Sequence, residues 1–574
     1  MQLAGGNDLM RDPRNGRNFE YFSEDPWHSA VLAAESVNGI QGEGIISTVK
    51  HFCLNCNETN RHWLDAIIDP AAHRESDLLA FQIAIERSQP GVVMSSYNKV
   101  NGDDTSGNRV LLQEVLKDAW GYPGWVMSDW GATLSWEFAL KGLDQECGAQ
   151  LDATMWGSEA FTGPLKQAYA EGTFPKERLA EMVGRMLRSM YAVGIDQWGP
   201  APQVDMARHN EIALETACQG IVLLKNDGIL PLPTDMPLKI AVIGGYAQRG
   251  VPSGMGSGAV LPPGGYAAVI PIGGAGPMGP ARNLFLMPSS PLAELKKLLP
   301  DAQIDVDPGQ TPAEAALLAQ RSDVVIAFGI RPEGESYDLP DLSLPWGQDA
   351  LIDALATANP NTIVMLETGK PASMPWRDKV QAIVEVLTGK VNPSGRLPIT
   401  FPADRAQTPR PELPDMGTPW GTPTTIEYNE GAEVGYRWFA KQGEKPLYAF
   451  GRGLSYATFA YSDLQVSGGD TITAGFTVTN TGSREGADVP QLYLTEAAGD
   501  KCMRLLGFER VALQPSESRQ EVTLTADPRL LARFAGERRQ WWIDGGSYVV
   551  ALSRSADDPV ATAALTLAER HFGR

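Results

Sequence analysis

The sequence predicts a multidomain α/β protein with a (β/α) barrel of the TIM type, a three-layer α/β sandwich and a C-terminal β-sandwich. Three observations predict it. Short apolar runs alternate with helix-like stretches over residues 1–195, and longer apolar runs alternate with amphipathic helices over 205–405. After a connector at 406–455, apolar and polar residues alternate with period two over 456–570, which is typical of short antiparallel strands.

The first segment shows the parallel β/α pattern of strand, polar residues and helix. Its strands are expected at 45–49, 91–94 and 125–127, and its intervening helices at 71–86 and 109–120. In a (β/α) barrel the carboxyl ends of the strands meet at one mouth, where the catalytic groups lie. The polar residues that follow these strands are therefore expected to lie close together.

The second segment predicts an open parallel sheet with helices on both faces. Its strands are expected at 238–245, 323–329 and 362–368, and its helices at 291–299, 311–320 and 348–357. Gly244 and Gly245 follow the first of these strands, but no G-x-G-x-x-G motif opens a helix there. A dinucleotide site is therefore not expected.

The connector begins within a proline-rich passage at 402–424, after which the pattern changes. Apolar residues occupy alternate positions over 472–478, and a turn is expected at 480–482. A late strand pair is expected at 541–552, around Gly545 and Gly546. Short alternating strands separated by turns indicate a β-sandwich.

Composition limits the classes of protein to which the chain can belong. Of its 574 residues, 43% are hydrophobic and 20% are charged, which is ordinary globular usage. The 48 basic and 69 acidic residues give a net charge of −21, which argues against a nucleic-acid partner. No apolar run of about 18 residues is present to span a membrane. The N-terminus lacks a signal-peptide pattern, which leaves the compartment open: cytoplasmic as the chain stands, or periplasmic or secreted if a true N-terminus is missing.

The five cysteines form no dense disulfide framework. Cys53 and Cys56 make a C-x-x-C motif, yet Cys147, Cys218 and Cys502 supply no matching second pair. Buried, inert thiols are therefore favoured over a redox or metal-binding pair. Neither a metal ion nor an organic cofactor is expected.

The polar residues that follow the barrel strands in the sequence are of the types that a glycosidase site needs. A glycosidase needs two carboxylates beside one glycosidic bond, together with donors for the sugar hydroxyls. Asp129 is the leading carboxylate because it follows the strand at 125–127, and Lys50 and Arg61 would favour its ionised form. An N-cap role is the alternative for this aspartate. The other candidates at the strand ends are Arg17, His51, Tyr97 and Trp130.

Motifs spread over nearly the whole chain resemble the glycoside hydrolases of family 3, and their β-glucosidases in particular. In the barrel segment they are RDPRNGRNFE at 11–20, SEDP at 23–26, KHF at 50–52, MSSYN at 94–98 with NG at 101–102, and VMSDW at 126–130. Beyond it they are VLLKNDGILPL at 222–232, VNPSGRL at 391–397 and FGRGLSYATF at 450–459.

This resemblance implies the three domains in the order given, with a fibronectin type III-like fold for the last. It implies that Asp129 is the nucleophile and that Trp130 forms an aromatic wall of the site. The glycine-rich loop at 254–258 resembles one that reaches the sugar, which adds Ser257 to the set. The substrate-binding positions implied are Arg17, Lys50, His51, Arg61, Met94, Tyr97, Trp130 and Ser257.

The acid/base is expected on a loop of the second domain, where the family carries a string similar to EGYDR. Here the string is ESYDL at 335–339, so Glu335 is the choice and Glu333 the second choice. Ser336 and Leu339 depart from the family's Gly and Arg. An ordinary solvated loop carboxylate is the alternative for both glutamates.

The function implied is a retaining, exo-acting β-glucosidase that releases terminal β-D-glucose by double displacement from a small-molecule or oligosaccharide β-glucoside. Asp129 and Glu335 are expected to lie about 5–5.5 Å apart in the interdomain cleft with substrate bound. Three alternatives stay open: a β-xylosidase or arabinosidase, a β-N-acetylglucosaminidase, and a non-catalytic sugar-binding relic. The run CLNC at 53–56 after KHF disfavours the N-acetylglucosaminidase branch, whose motif resembles KHFPGHG.

The chain also departs from the family pattern, because it begins near the fourth strand of the expected barrel. About five strand candidates are found where eight close a (β/α) barrel, so an incomplete barrel without its N-terminal part is expected. A family aspartate that binds the far hydroxyls of the sugar is expected to be missing with those strands. The competing explanations are an incompletely read gene start, a natural short form, and completion by a neighbouring subunit in a homo-oligomer. A second shortening is expected at 380–389.

Overall fold

The structure is a computed structural model that describes residues 1–3, 5–200, 203–274, 279–384, 391–515 and 519–573. The shortened connection expected at 380–389 falls mainly on 385–390, which lie outside the described residues.

The barrel segment has three neighbouring parallel strands, in the order Thr48–Phe52, Val92–Ser95 and Trp125–Met127. Isolated parallel bridges extend this arc, with Gly6 beside Lys50 on one side and Gln145 beside Met127 on the other. The helices of this segment are Pro26–Gly42, Pro70–Glu75, Asp77–Ser88, the π-helix Val110–Ala119, Ala149–Trp156, Gly163–Ala170 and Lys176–Ala192. The helix Met206–Gly220 follows them and borders the sandwich segment, where Ala217 and Phe328 line one cavity. The predicted parallel β/α arrangement is therefore confirmed.

The first strand runs further than the apolar pattern predicts. It was expected at 45–49, followed by Lys50 and His51, but both residues lie inside the strand Thr48–Phe52. The reason is a neighbouring segment. Lys50 donates from its N–H to Gly5 O (3.0 Å) and accepts at its O from Asn7 N (2.6 Å), so strand pairing continues past the apolar run.

The helix predicted at 71–86 is two helices, Pro70–Glu75 and Asp77–Ser88. The break is at Ser76, whose φ of −125° and ψ of −101° are not helical. Arg11 reaches this point from another part of the chain and donates to Ser76 Oγ at 2.9 Å. Apolar periodicity continues across the break, so it could not reveal it.

A second sheet lies beside the arc and includes part of the predicted connector. Its strands, in order, are Thr424–Glu427, Leu64–Ile67, Lys99–Val100 and Asp103–Asp104. Ile426 and Tyr428 are buried in the same apolar cluster as Phe52 and Val126. The residues that follow the proline-rich passage therefore pack on the barrel as part of its core.

The α/β sandwich contains a six-stranded sheet, parallel except for its last strand. The strands in order are Gln303–Asp307, Lys239–Gly244, Val324–Ile330, Thr362–Glu367, Ala382–Val384 and Lys225–Asn226. Its helices are Pro291–Leu298, Pro312–Gln320 and Gln348–Ala358. A small antiparallel sheet adds Ala268–Pro271, Asn283–Leu286 and Pro252–Ser253. The predicted helices and strands are confirmed to within one or two residues at each end.

The C-terminal segment is built of antiparallel sheets, as its alternating pattern predicts. One sheet has three strands: Phe459–Ser467, Thr473–Asn480 and Arg519–Thr525. Another has four: Asp500–Phe508, Gln491–Ala497, Gly546–Ser553 and Pro559–Leu567. The remaining strands are Gly486–Asp488 with Val511–Leu513, and Arg533–Ala535 with Gln540–Ile543 and Arg570–Phe572. The predicted pairing within 541–552 is wrong, because Gln540–Ile543 and Gly546–Ser553 belong to different sheets.

The C-terminal sheets share their core with the barrel. One apolar cluster contains the buried faces of these sheets together with residues of two barrel helices. These residues are Ala30 and Ala33 of the helix Pro26–Gly42, and Leu79 and Ile83 of the helix Asp77–Ser88. A second contact is made by the helix Tyr436–Gln442, whose Tyr436 packs in one cluster with Tyr493. No described helix is long and apolar enough to cross a membrane.

Removal of the Arg11 guanidinium should destabilise the barrel strongly. Arg11 is fully buried between Asp77 and Glu430, with an Nη1–Oε1 distance of 2.9 Å to Glu430. Arg11→Met would leave Asp77 buried without its cation, whereas Glu430 would keep its pair with Arg410. We therefore expect a loss of about 3–5 kcal/mol in the free energy of unfolding. Urea-induced unfolding followed by tryptophan fluorescence measures it. The matched control is Arg208→Met, which removes an exposed pair with Glu211 and should cost at most about 1 kcal/mol; equal stability of the two variants would contradict this account.

Candidate active site

The three barrel strands bring their polar residues to one place. His51 lies on the first strand, Tyr97 follows the second by two residues and Asp129 follows the third by two. His51 Nε2 is 3.7 Å from Asp129 Oδ2. The Arg61 guanidinium lies over the Tyr97 ring, 4.1 Å from its centroid. The predicted convergence of these side chains is therefore what the structure shows.

Arg17 enters the same place from the turn before the short 3₁₀ helix Asn18–Glu20. Its Nε donates to Glu20 Oε1, and Glu20 Oε2 is 3.7 Å from Lys50 Nζ. Its Nη2 donates to Ser257 Oγ at 3.0 Å. Glu20 thus holds Arg17 and Lys50 together, and Ser257 links this pair to the sandwich segment.

Glu335, which lies on the second segment, contacts two cations of the barrel, Arg17 and Arg61. Its Oε1 accepts from Arg61 Nη2 at 2.7 Å and lies 3.5 Å from Arg17 Nη1. Its Oε2 accepts from Ser257 N at 2.7 Å. Glu333 lies elsewhere, since its Oε2 is 2.7 Å from Lys370 Nζ. Of the two glutamates considered from the sequence, Glu335 is therefore the one that meets the barrel cations.

Backbone contacts fix the loop that carries Glu335. Glu335 N donates to Met255 O at 3.2 Å, which ties it to the glycine-rich loop. At the other end, Asp338 accepts from the N–H groups of Gly16, Glu58 and Thr59 at 2.8–2.9 Å. Backbone N–H groups from the barrel thus hold this loop over the mouth.

Two glycines permit this close approach. Gly256 has a φ of +91°, and a Cβ there would lie 2.4 Å from Glu335 Cβ. A Cβ on Gly16 would lie 2.1 Å from Tyr337 O. Because any larger residue would push the loop outward, both positions require glycine.

Burial decides the direction in which the pKa of Asp129 shifts. The sequence predicts that neighbouring cations favour its ionised form, and Arg17 and Arg61 do lower its pKa. Burial outweighs them and, with help from the Glu335 carboxylate, raises the pKa of Asp129 above its ordinary value. Lys50 is turned toward Glu20. The expected influence of Arg61 is therefore confirmed, and burial, which sequence patterns do not reveal, sets the net direction.

The pKa of Glu335 moves the other way. Burial opposes its charge, but Arg61 and Arg17 together lower its pKa well below the ordinary value, helped by the Ser257 N–H. In this structure Glu335 is consequently a carboxylate, held by two guanidinium groups.

Three acidic residues that sequence reasoning missed complete the site. Glu20 pairs with Arg17, and Glu58 Oε2 accepts from Arg61 Nη1 at 2.7 Å. Asp8 accepts from His51 N at 2.6 Å, and its Oδ2 lies 3.5 Å from His51 Nδ1. Burial raises the pKa of Glu58 to about 7 and that of Asp8 to about 8. The sequence did contain a signal for two of them, because Glu20 and Glu58 lie three residues from the arginines they bind, Arg17 and Arg61.

His51 stands between two carboxyl groups and is itself neutral. Burial lowers its pKa well below the ordinary value, and the cations Arg17, Lys50 and Arg61 lower it further. Neutral imidazole carries one N–H, so it can donate to Asp8 or to Asp129 but not to both.

Two predicted residues lie on an apolar side of the site. Met94 is buried in a cluster with Met127 and Trp125, against which Trp130 packs. Trp130 is half-buried, and its N–H donates to Asp129 Oδ1 at 2.8 Å. Met94 therefore meets the site through apolar packing.

Two cavities are lined by Phe19, which lies two residues after Arg17 in the chain. Their volumes are about 270 and 650 Å³; both are also lined by Gly369, and the second by Glu333 and Arg331. Neither is lined by Asp129 or Glu335.

The described residues contain no group of three or more His, Cys, Asp or Glu side chains arranged to hold a metal ion. Cys53 and Cys56 are buried free thiols, and Cys53 Sγ is 3.3 Å from His73 Nε2. Burial raises the pKa of both thiols well above the ordinary value, so both stay protonated.

Models of one enzyme family match most of the chain. The Glycosyl hydrolase family 3 N terminal domain matches residues 1–189, and the Glycosyl hydrolase family 3 C-terminal domain matches 221–456. A Fibronectin type III-like domain matches 488–556. The predicted layout of barrel, α/β sandwich and fibronectin type III-like domain is therefore confirmed.

Characterised proteins are similar over nearly the full chain. The thermostable beta-glucosidase B of Acetivibrio thermocellus is 35% identical over 97% of this chain and 74% of its own length. An exo-alpha-(1->6)-L-arabinopyranosidase of Bifidobacterium breve is 32% identical over 98% and 75%. The structure of beta-glucosidase 3B from Thermotoga neapolitana in complex with glucose matches with a TM-score of 0.87 at 30% identity, over 100% of this chain and 84% of that one.

The raised pKa of Asp8 predicts a pH-dependent stability. An unfolded aspartate loses its proton near pH 3.8, whereas folded Asp8 keeps it to about pH 8. Between these values the folded state binds the extra proton, so rising pH costs stability, by at most about 1.4 kcal/mol per pH unit. Asp8→Asn removes this loss. We therefore expect the melting temperature of the variant, relative to wild type, to be higher at pH 8 than at pH 5.

Differential scanning calorimetry at the two pH values measures this difference. Asp235→Asn, at an exposed position, is the matched control for the change of residue type. The account of Asp8 is wrong if the melting temperatures of Asp8→Asn and wild type differ by the same amount at both pH values.

Proposed function

Because this chain belongs to glycosyl hydrolase family 3 and is a glycoside hydrolase, we propose that it is a β-glucosidase that removes terminal β-D-glucose with retention of configuration. The observation that carries the proposal is that the same two arginines act on both carboxyl groups. Arg61 and Arg17 lie 2.7 and 3.5 Å from Glu335 of the sandwich, and both lower the pKa of Asp129 of the barrel. The similarity to beta-glucosidases that cover nearly the full chain supports this specificity.

We assign Asp129 as the nucleophile. One of its oxygens, Oδ1, accepts from Trp130 N at 2.8 Å, which fixes the orientation of the carboxylate. The other, Oδ2, is buried and has no hydrogen-bond partner among the described residues. An oxygen in this state is available to attack an anomeric carbon, and Arg17 and Arg61 stabilise its charge.

Glu335 is the proposed acid/base, and sugar binding must change its protonation. A general acid has to carry a proton, while in the empty site Arg61 and Arg17 hold Glu335 ionised. Sugar hydroxyls that accept hydrogen bonds from these guanidinium groups would draw them away from Glu335. The pKa of Glu335 would then rise, because burial is the largest of the influences on it and favours the neutral form.

In the proposed reaction Asp129 Oδ2 forms a bond to the anomeric carbon as the bond to the leaving oxygen breaks. Glu335 gives its proton to that oxygen, so the leaving group departs as an alcohol. The ionised Glu335 then takes a proton from water, whose oxygen displaces Asp129 from the glucosyl carbon. Two inversions give net retention.

The remaining polar residues are proposed to bind the sugar. Arg17, Lys50, Arg61 and neutral His51 offer N–H donors in one buried region, and Trp130 offers an apolar ring face. These assignments need no metal or organic cofactor.

Substitution of the nucleophile tests the proposed function. Wild type should hydrolyse 4-nitrophenyl β-D-glucopyranoside with a higher kcat/KM than the β-xyloside, the β-N-acetylglucosaminide or the α-L-arabinopyranoside. Asp129→Asn should lower kcat by on the order of 10³-fold or more, since no covalent intermediate forms. The control is Asp235→Asn. Proton NMR of the first product shows whether its configuration is retained; equal rates for wild type and Asp129→Asn would refute the proposal.

Leaving-group dependence tests the acid/base separately. Glu335→Ala should lower kcat/KM about 10²–10⁴-fold for a poor leaving group such as that of methyl β-D-glucopyranoside. With 2,4-dinitrophenyl β-D-glucopyranoside, whose leaving group needs no proton, the loss should be much smaller. Azide should then restore turnover and yield β-glucosyl azide. Glu333→Gln is the comparison; if it shows this behaviour and Glu335→Ala does not, the assignment of Glu335 is wrong.

A further inference from the structure

The cavity of about 650 Å³ lies at the carboxyl ends of the parallel strands of the sandwich. Its lining comes mainly from residues within or just after the strands Val324–Ile330 and Thr362–Glu367, and from the segment at 251–254 that follows the strand Lys239–Gly244. Small-molecule pockets have volumes of about 300–1,000 Å³, so this space is of a size to hold a ligand. It is called the sandwich cavity below.

The topology of the sheet favours a ligand at this position. The chain leaves the strand Lys239–Gly244 for Gln303–Asp307 on one side and then returns to Val324–Ile330 on the other. In open parallel sheets, ligands bind outside the carboxyl ends of the strands where the strand order reverses in this way. The sandwich cavity has both strands represented in its lining, by Phe328 of one and by Val251, which follows the other.

Two charged side chains in the lining are almost completely buried. Arg331 is 1% exposed and Glu333 is 6% exposed. The Nη atoms of Arg331 donate to three backbone carbonyls, whereas its buried Nε has no hydrogen-bond partner within the part of the chain that the structure describes. Glu333 Oε1 accepts from Gly369 N at 3.2 Å, and its Oε2 lies 2.7 Å from Lys370 Nζ. A buried donor without a partner is costly, so a ligand oxygen that accepted from it would remove that cost.

Phe19 provides an apolar wall, and two glycines leave room for it. A Cβ on Gly254 would lie 2.1 Å from Phe19 Cε2, and one on Gly369 would lie 2.4 Å from Phe19 Cβ. Any larger residue at either position would therefore displace Phe19. Phe328 and Met365 add further apolar surface to the lining. The sandwich cavity thus combines ring and thioether surface with the buried polar groups.

The charges at the sandwich cavity favour a neutral ligand. The cations Arg331 and Lys370 are balanced in number by two acidic residues, Glu333 and Glu367, so a charged ligand would leave an uncompensated charge. A carboxylate accepts hydrogen bonds from hydroxyl groups, and the hydroxyl of Thr368 both donates and accepts. The chemistry that fits is a ring with hydroxyl groups at its edge and C–H groups on its faces.

We propose that the sandwich cavity is a second sugar-binding site, which takes a neutral pyranose such as free D-glucose. Glu333 and Thr368 bind the hydroxyl groups, and the Phe19 ring packs against a C–H face. The site is distinct from the catalytic pocket, because neither Asp129 nor Glu335 lines it. This inference does not rest on the proposed function.

Methyl NMR of the methionines tests the site, because a methionine reports on each of the two places. Met365 lines the sandwich cavity, and Met94 lies on the catalytic side in the cluster against which Trp130 packs. With ¹³C in the methionine methyl groups, Met365→Leu and Met94→Leu assign the two signals. Titration with D-glucose should shift the Met365 signal to saturation, with a dissociation constant on the order of 1 mM.

A variant that fills the sandwich cavity should remove this response. Ala217 is exposed on the helix Met206–Gly220 and lines the cavity, so the larger side chain of Ala217→Trp should abolish the Met365 shift and leave that of Met94 as in wild type. Thr368→Val removes one hydroxyl at nearly constant shape and should weaken the affinity at Met365 about three- to tenfold. The matched control is Ala213→Trp, one turn earlier on the same helix and outside the lining, which should change neither response.

D-Glucuronate tests the preference for a neutral ligand. It carries a carboxylate in place of the hydroxymethyl group and should bind at Met365 at least about tenfold more weakly than D-glucose. Equal or tighter binding of D-glucuronate would overturn the proposal. So would a Met365 shift that persists in Ala217→Trp, one that Ala213→Trp abolishes equally, or no saturable Met365 shift up to about 100 mM D-glucose.

The two signals also separate this inference from the proposed function. A response to D-glucose at Met94 with none at Met365 would leave the catalytic pocket as a glucose site and refute the second site. A response at Met365 that Ala217→Trp removes, without any response at Met94 and without hydrolysis of β-glucosides, would leave the second site standing and refute the proposed function.

Discussion

The ion pairs between Glu335 of the α/β sandwich and Arg61 and Arg17 of the barrel are the interaction on which the site depends. All three side chains are largely shielded from water, so separating the two segments would strand charges that have lost their hydration. The backbone bonds to Asp338 hold the loop in place, and Gly16 and Gly256 let it approach. These contacts bring the proposed acid/base and the proposed nucleophile into one electrostatic environment.

Burial is the largest influence on the pKa of four carboxyl groups in this region, and the arginines outweigh it at one of them. Asp8, Glu58 and Asp129 all have raised pKa values, whereas Glu335 has a lowered one because two guanidinium groups reach it. A double displacement needs an ionised nucleophile and a protonated acid. A substrate that draws the arginines off Glu335 would raise the pKa of that carboxyl group, so binding and acid activation would be one event. A protonated Glu335 would in turn no longer raise the pKa of Asp129 through its charge.

The charged pocket suits a ring edged with hydroxyls, because Arg17, Lys50 and Arg61 offer N–H donors there. Arg61 makes two of the contacts that shape this pocket, since it binds Glu335 and lies over the Tyr97 ring. Proposed sugar binding and charge control of the proposed acid/base therefore share one side chain.

The sequence by itself determined the layers of the fold and most of the site. Apolar periodicity depends on neighbouring residues, so it located the strands before Tyr97 and Asp129, and the motifs around them pointed to the family. Only the tertiary structure decided how Ser76 breaks a helix, that Ile426 joins the barrel core, and that Asp8, Glu20 and Glu58 balance the site's charges. It also decided the direction of the Asp129 pKa shift. These features depend on burial and on partners hundreds of residues away, which no local pattern encodes.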